Sequence, residues 1–375
     1  MQMVPDSSPD NAKLAQFFLE KPKHVDKDNE LACTVLTYRP RLSFGFQYWT
    51  GFDILLRARD FARYNRQLPL NMVVEIENAE KKKRYYYDRA TLPQGVPDGE
   101  WWKRNVELSL GGSFLVGVGK YKAKLLLVDA IGRTCWKEWK MDAPRTSAPV
   151  PTPPGEVRNN VVLWEGMEAK TANVAARVGS GDTLTVYLHA APLFSRRNLS
   201  KLRSWDKSVL LGSLTSLLKA SRFGKARVIA FNLDARKVVF RSENFGKGDL
   251  IKLIGALDNL EMGTVSVDTL AQSSEAKFLA ELLELGATKQ AEARDAVVFL
   301  GPTWRWGRKP DERLVELRKS LPPTVYLAYR SAFGQTTDSL AELVKAGKGK
   351  ILDVYGPLDL AKAIREIDVW SLRGD

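Results

Sequence analysis

The chain has 375 residues, 44% hydrophobic and 27% charged, with a formal net charge of +13. That length accommodates two cored domains, and no apolar run reaches the ~18–20 residues of a membrane-spanning helix. Two cysteines and two histidines are too few for zinc-finger, zinc-ribbon or His-Glu-x-x-His sites, so no metal or other cofactor is expected from them.

Residues 1–30 read as an N-terminal extension. Its start, MQMVPDSSPDNAKLAQFF, lacks the basic end and apolar stretch of a signal peptide, which fits a cytoplasmic protein and a mature or trimmed exported chain alike. Residues 31–142 alternate apolar and polar positions, the period of half-buried strands. Leu42, Phe44, Phe46 and Tyr48 share one predicted face, followed by Phe52, Ile54 and Leu56. NMVVEIENAEKKKRYYYDRA predicts two strands joined by a charged turn around Glu80. The run from Asn105 to Met141 predicts three more, with turns at Gly111-Gly112 and Ile131-Gly132-Arg133. Short strands at regular spacing predict an antiparallel β-sandwich of immunoglobulin-like type. GGSFLVGVGK departs from the phosphate-loop pattern: Phe114 stands where the first glycine is required, and Tyr121 follows the lysine. It reads as a hairpin.

Cys33 and Cys135 lie near the two ends of this region. A bridge would staple its first and last strands, as suits an oxidising compartment; two independent buried thiols fit the sequence as well.

Residues 143–156 form a proline-rich linker: APRTSAPVPTPPG carries five prolines, which suit neither a helix nor a strand interior. From 157 to 370 strands alternate with helices, beginning with VVLWEG and LTVYLHAAP. The helix SWDKSVLLGSLTSLLKASRF follows, with Ser204 as its expected N-cap, then an antiparallel pair in KARVIAFNLDARKVVFRS. KGDLIKLIGALDNL and SSEAKFLAELLELG are helical. Strands DAVVFLGP, TVYLAYRS and GKILDVYG and helices DERLVELRKSL, DSLAELVKAG and LDLAKAIREI complete the pattern. This order predicts a mostly parallel, Rossmann-like sheet covered on both faces.

Residues 191–230 carry nine basic groups against Asp206 alone. Several fall on or beside a predicted helix, where a solvated face accounts for them. A phosphate-binding track would also need interleaved aromatics.

Strand, helix, hairpin, two helices, then strand–helix repeats over residues 157–370: this order, with strings such as ARVIAF, resembles the von Willebrand factor A domain. That resemblance implies a magnesium site of the form Asp-x-Ser-x-Ser after the first strand, with a distant Thr and a further Asp, because Mg²⁺ demands hard oxygen ligands. Here the three positions hold His189, Ala191 and Leu193, and Gly301-Pro302 stands where the second Asp is expected. Thr264 or Thr269 would supply one hydroxyl, which does not hold a divalent ion. The metal motif is degenerate.

At the same end of the sheet the sequence sets Trp304, Arg305, Trp306, Arg308 and Lys309 after one strand, and His189, Phe194, Arg196 and Arg197 after another. Trp and Arg are enriched at interaction hot spots, and loops beyond the carboxyl ends of parallel strands form the usual ligand crevice. Packing of the indoles within the protein is the competing reading, and His189 reads as a buried structural imidazole.

The β-domain strings LACTVLTYRPRLSFGFQYWTG and GGSFLVGVGKYKAKLLLVDAIGRTCW, the proline linker and the metal-free A-like domain together resemble uncharacterised acidobacterial proteins related to von Willebrand A domains. The resemblance implies an exported, mature or trimmed chain, periplasmic or secreted, and favours the Cys33–Cys135 bridge. The function expected is non-catalytic binding or scaffolding of a protein or anionic envelope polymer. The alternatives are a hydrolase using Asp182, Asp234, Asp268 or Asp353, each at a turn or helix start where Asp is favoured structurally, and a nucleic-acid binder.

Overall fold

In the computed structural model the described residues are 2–3, 13, 30–61, 68–92, 106–145, 161–163, 180–193, 200–262, 275–286, 295–303, 314, 316–317, 322–330 and 338–373. Two compact units are present. One gathers Met1–Leu42, Gln47–Ser147 and Gly155–Met167; the other gathers Ser43–Phe46, Ala148–Pro154 and Glu168–Asp375.

The first unit contains β1 (Gln2–Met3), β2 (Cys33–Thr37), β3 (Arg41–Leu42), β4 (Tyr48–Arg57), β5 (Leu68–Asn78), β6 (Lys83–Leu92), β7 (Glu107–Val116), β8 (Gly119–Asp129), β9 (Thr134–Ala143) and β10 (Val161–Leu163). One sheet runs β1-β6-β5-β8-β9 and the other β10-β7-β4-β2, with β3 also on β4. Period-two patterning explains how they pack. Tyr48, Thr50, Phe52, Ile54 and Leu56 of β4 are buried, as are Leu70, Met72, Val74 and Ile76 of β5 and Tyr121, Ala123, Leu125 and Leu127 of β8. These residues of both sheets share one core, in which Tyr86 of β6 stacks on Phe114 of β7 at 6.1 Å. Each such ring, taken fully out of water, contributes roughly 1.5–3 kcal/mol. Cys33 and Cys135 are disulfide-bonded across 102 residues, joining β2 of one sheet to β9 of the other.

The structure corrects several sequence expectations. GGSFLVGVGK is not a hairpin: β7 pairs with β4 and β10, while β8 pairs with β5 and β9. Gly117-Val118 instead carries the chain from one sheet to the other, and the Tyr121 hydroxyl donates to the Gly117 carbonyl at 3.0 Å. Gly111-Gly112 is not a turn but lies within β7, opposite Asp53 and Phe52. The alternation from Leu42 to Tyr48 is not one strand; β3 and β4 pair antiparallel, and Phe46 between them adopts φ 59°. Val161–Leu163, expected with the second half, pairs with β7. Gln2–Met3, within the expected extension, pairs with β6. The hairpin through Glu80 forms as expected between β5 and β6: Asn78 Oδ1 accepts the amides of Glu80 and Lys82, and Lys81 takes φ 63°. Of the proline-rich stretch, residues 146–156 lie outside the described residues.

The second unit contains β11 (Ser180–His189), α1 (Ser204–Ala220), β12 (Phe223–Asn232), β13 (Lys237–Ser242), α2 (Lys247–Asp258), α3 (Glu275–Gly286), β14 (Ala296–Pro302), β15 (Thr324–Tyr329), α4 (Ser339–Ala346), β16 (Lys350–Val354) and α5 (Pro357–Arg373). Sheet order is β13-β12-β11-β14-β15-β16, parallel except for the β12–β13 hairpin. Tyr187, Phe231, Phe299 and Tyr326 pack on one face with Leu279, Leu282 and Leu283 of α3 and Leu340, Leu343 and Val344 of α4. α1 contacts β14 and α5, and α5 contacts β15 and β16. Coverage of both faces explains why β14 and β15 are buried at every residue and read as unbroken apolar runs. Ser213 and Thr215 satisfy their hydroxyls on the Val209 and Leu211 carbonyls, so α1 is buried without leaving those donors unpaired.

Candidate functional site

β11 lies at the sheet centre. The chain passes from it through α1 to β12 on one side, then returns to β14 on the other. The carboxyl ends of β11 and β14 therefore flank the topological switch point, where α/β sheets usually open a ligand crevice.

Here that position is filled from within. His189 ends β11 at 1% exposure. Its Nδ1 lies 3.2 Å from the Pro302 carbonyl, which only accepts, so Nδ1 carries the proton. The imidazole stacks on Phe231 at 5.3 Å, and burial pushes its pKa down to about 4. It is neutral at physiological pH. Gly301, with φ 153°, approaches so closely that a Cβ there would meet His189 Cβ at 2.7 Å and its carbonyl oxygen at 2.8 Å. Ala190 and Ala191 follow, both buried; Ala190 N–H donates to the Phe231 carbonyl and Asn232 Nδ2 to the Ala190 carbonyl at 2.7 Å.

Asp206 organises the loop beyond. It stands at the third position of α1, whose N-cap is Arg203 rather than the expected Ser204. The carboxylate, wholly buried, accepts the Leu193 and Arg203 amides and two bonds from the Arg203 guanidinium, at 2.8 and 3.1 Å. The sequence singled out neither Asp206 nor Asn232 as a site residue. The available signal was an acid two residues into a helix start, in a segment otherwise basic.

At the next strand ends, Arg330 bridges Asp353 (2.8 Å) and Asp338 (3.3 Å), and the Tyr326 hydroxyl donates to the Pro302 carbonyl at 3.1 Å. The remaining candidate acids do not converge. Asp182, at the opposite end of β11, pairs with Arg222 at 3.2 Å, and Asp234 lies in the β12–β13 turn. Among the described residues no three of His, Cys, Asp and Glu gather as metal ligands. Phe194, Arg196, Arg197, Thr264, Asp268, Thr269, Trp304, Arg305, Trp306, Arg308 and Lys309 lie outside the described residues.

No protein-family model matches the chain, and no curated protein matches it. Among solved structures, a von Willebrand factor type A protein from Catenulispora acidiphila aligns over 68% of this chain and 47% of its own. Identity is 10% and the TM-score 0.30. The ApaA protein of Bordetella pertussis aligns over 32% of this chain and 98% of its own, at 14% identity and TM-score 0.20. A glycosyl hydrolase family 2 member from Bacteroides cellulosilyticus aligns over 84% and 38%, at 10% identity and TM-score 0.20. Similarity at this level does not establish a shared fold. Among the described residues no helix is long and apolar enough to cross a membrane.

Proposed function

We propose that this chain is a non-catalytic, extracytoplasmic binding or scaffolding protein. In this reading the first unit is an immunoglobulin-like sandwich, and the second is a von Willebrand A-type domain that recognises its partner without a metal ion. The observation that carries the reading is the close packing of the described strand ends at the switch point. Where the crevice is expected stand a neutral imidazole bonded to a carbonyl, two alanines and a close-packed glycine. The nearby Asp206 carboxylate is engaged by Arg203. Among the described residues these groups offer a hard cation no oxygen ligand set. Recognition then falls to the Trp304–Lys309 segment with Arg196 and Arg197, whose indole and guanidinium groups suit a protein or an anionic envelope polymer. The disulfide accords with an oxidising compartment.

The test is co-sedimentation of the full chain with isolated cell-envelope fragments, with and without EDTA. Expected is retention unaffected by chelator and lost in a Trp304→Ala/Trp306→Ala variant. Retention that requires Mg²⁺, or a double variant that binds like the parent, overturns the reading.

A further inference from the structure

The two sheets of the first unit treat their outward faces differently. On the first, Val73, Tyr85, Leu126 and Val128 are buried. Glu75, also buried, accepts from Lys124 (2.8 Å), Tyr85 (2.8 Å) and Lys83 (3.2 Å). The outward face of the second sheet is open along β2 and the first half of β7, whereas Leu115 and Gly51, at outward positions beside Trp49, are buried. Leu36 is 47% and Tyr38 37% exposed, and Thr34, Ser109 and Gly111 are also exposed.

Strand register fixes what that open face presents. The outward positions of β4 run Trp49, Gly51, Asp53; Asp53 lies opposite Leu36 of β2 and Gly111 of β7, and Gly51 opposite Ser113. Tyr38 reaches both ends of the run. Its ring stacks on Trp49 at 5.7 Å with 21° between planes, and its hydroxyl donates to Asp53 Oδ2. Gly111 leaves the sheet bare beside Asp53, whereas Gly51 is covered. A Cβ on Gly111 would collide with Asp53 Oδ1, so the carboxylate lies low across the strands. Cover for Gly51 accounts for part of Tyr38's placement. It does not require the additional bond to Asp53, which pins a solvent-facing ring at the expense of rotamer entropy.

Charge narrows the ligand. In a chain of net charge +13, the charged outward residues of these strands are Arg41, Arg57, Asp53 and Glu107, two of each sign. A balanced patch draws neither a polyanion nor a polycation over distance. A fixed aromatic pair offers large contact area at little entropic cost, and flanking carboxylate and guanidinium groups accept from and donate to hydroxyls.

We propose that the outward face of the second sheet binds a neutral, flat, hexose-based polysaccharide. The Tyr38–Trp49 pair is the stacking platform, and Asp53 and Arg41 bond the sugar hydroxyls. The site belongs to the first unit and does not rest on the metal-independent rim reading above.

The test is affinity electrophoresis of the full chain in gels containing hydroxyethyl cellulose or glycol chitin, with polygalacturonate as the anionic comparison. Expected is retardation by at least one neutral polymer, weakened at least tenfold in Tyr38→Ala and two- to fivefold in Asp53→Asn. Leu36→Lys, an exposed substitution that sets a charged chain on the platform's edge, weakens it comparably. The Trp304→Ala/Trp306→Ala variant is retarded like the parent, which separates this site from the rim. No retardation by either neutral polymer, retardation by polygalacturonate alone, or unchanged retardation in both Tyr38→Ala and Leu36→Lys overturns the proposal.

Discussion

Cys33 and Cys135, their Cα atoms 6.1 Å apart, are bonded between the edge strands β2 and β9 of the two facing sheets. The link joins the two sheets instead of running within one, and it closes a separation of 102 residues. Opening so long a loop returns much conformational freedom to the unfolded chain. Cys33→Ser/Cys135→Ser is expected to lower the stability of the first unit by about 2–5 kcal/mol. Urea unfolding followed through the first unit's tryptophans, compared between the variant and the oxidised parent, measures the difference. A midpoint unchanged by the double substitution contradicts it.

His189 gives the second unit an acid sensitivity of known sign. Its folded pKa, about 4, lies below the ordinary 6.5 because burial disfavours the imidazolium. The unfolded chain therefore takes up the proton first as pH falls. The contribution is fully present above pH 6.5 and lost on descending toward pH 4, at most about 3 kcal/mol in all. The buried carboxylate Glu75, whose pKa is lowered in spite of burial by its bonds to Lys124, Tyr85 and Lys83, acts in a more acid range, below about pH 4.5. His189→Leu is expected to be less stable at pH 7.5, having lost the Pro302 bond, yet to show a flatter stability profile between pH 6.5 and 4.5. Denaturant titrations at half-unit pH steps give both quantities, and an unaltered slope in the variant refutes the assignment.

Asp206 connects sequence-local helix capping to the loop after β11. Replacing it with alanine leaves the Leu193 and Arg203 amides and the Arg203 guanidinium without that acceptor. Arg203, one third exposed, recovers solvent readily, so the loss is expected at roughly 2–3 kcal/mol. Amide exchange at Leu193 distinguishes this from a general loss of stability: it is expected to accelerate more than exchange at Val186 within β11. Equal acceleration at both positions argues against a local role.

Much of the architecture was legible because burial imposes period two on strands and period 3.6 on helices. Phe52, Ile54 and Leu56 were read onto one face and do point into the core, and the β12–β13 hairpin follows from its short turn. What alternation does not encode is the partner of each strand. Gly117-Val118 looks the same whether β7 and β8 pair or lie in different sheets, because both arrangements bury every second residue and both need a tight reversal. Gly111-Gly112 looks like a turn because glycine tolerates one, yet within β7 it makes room for Asp53 and the β4 backbone. Cysteine spacing favoured the bridge that forms only slightly over two separate thiols, since which edge strands approach each other is a three-dimensional property. At the candidate rim, His189 was read both as a structural imidazole and as a rim residue for a partner, and its 1% exposure fits the first; Asp206 and Asn232 were missed because their partners are mainly backbone groups, invisible in residue types.

Gly301 tests whether the switch point is closed by packing. It is one residue from the end of β14, its φ of 153° is a conformation side chains rarely adopt, and the space a Cβ would need belongs to His189. Gly301→Ala therefore meets two penalties, backbone strain and collision with His189 Cβ and backbone, neither of which a flexible side-chain tip relieves. The expected loss is about 2–4 kcal/mol, whereas alanine at an unconstrained glycine typically stabilises by about 0.4–1 kcal/mol. Gly248, whose added Cβ would meet nothing within 4 Å, supplies the comparison: Gly248→Ala near the start of α2 is expected to be neutral or stabilising. Thermal unfolding of the two variants side by side measures the contrast. If Gly301→Ala melts with the parent, the β11–β14 junction has slack, and the argument that it excludes a ligand crevice fails with it.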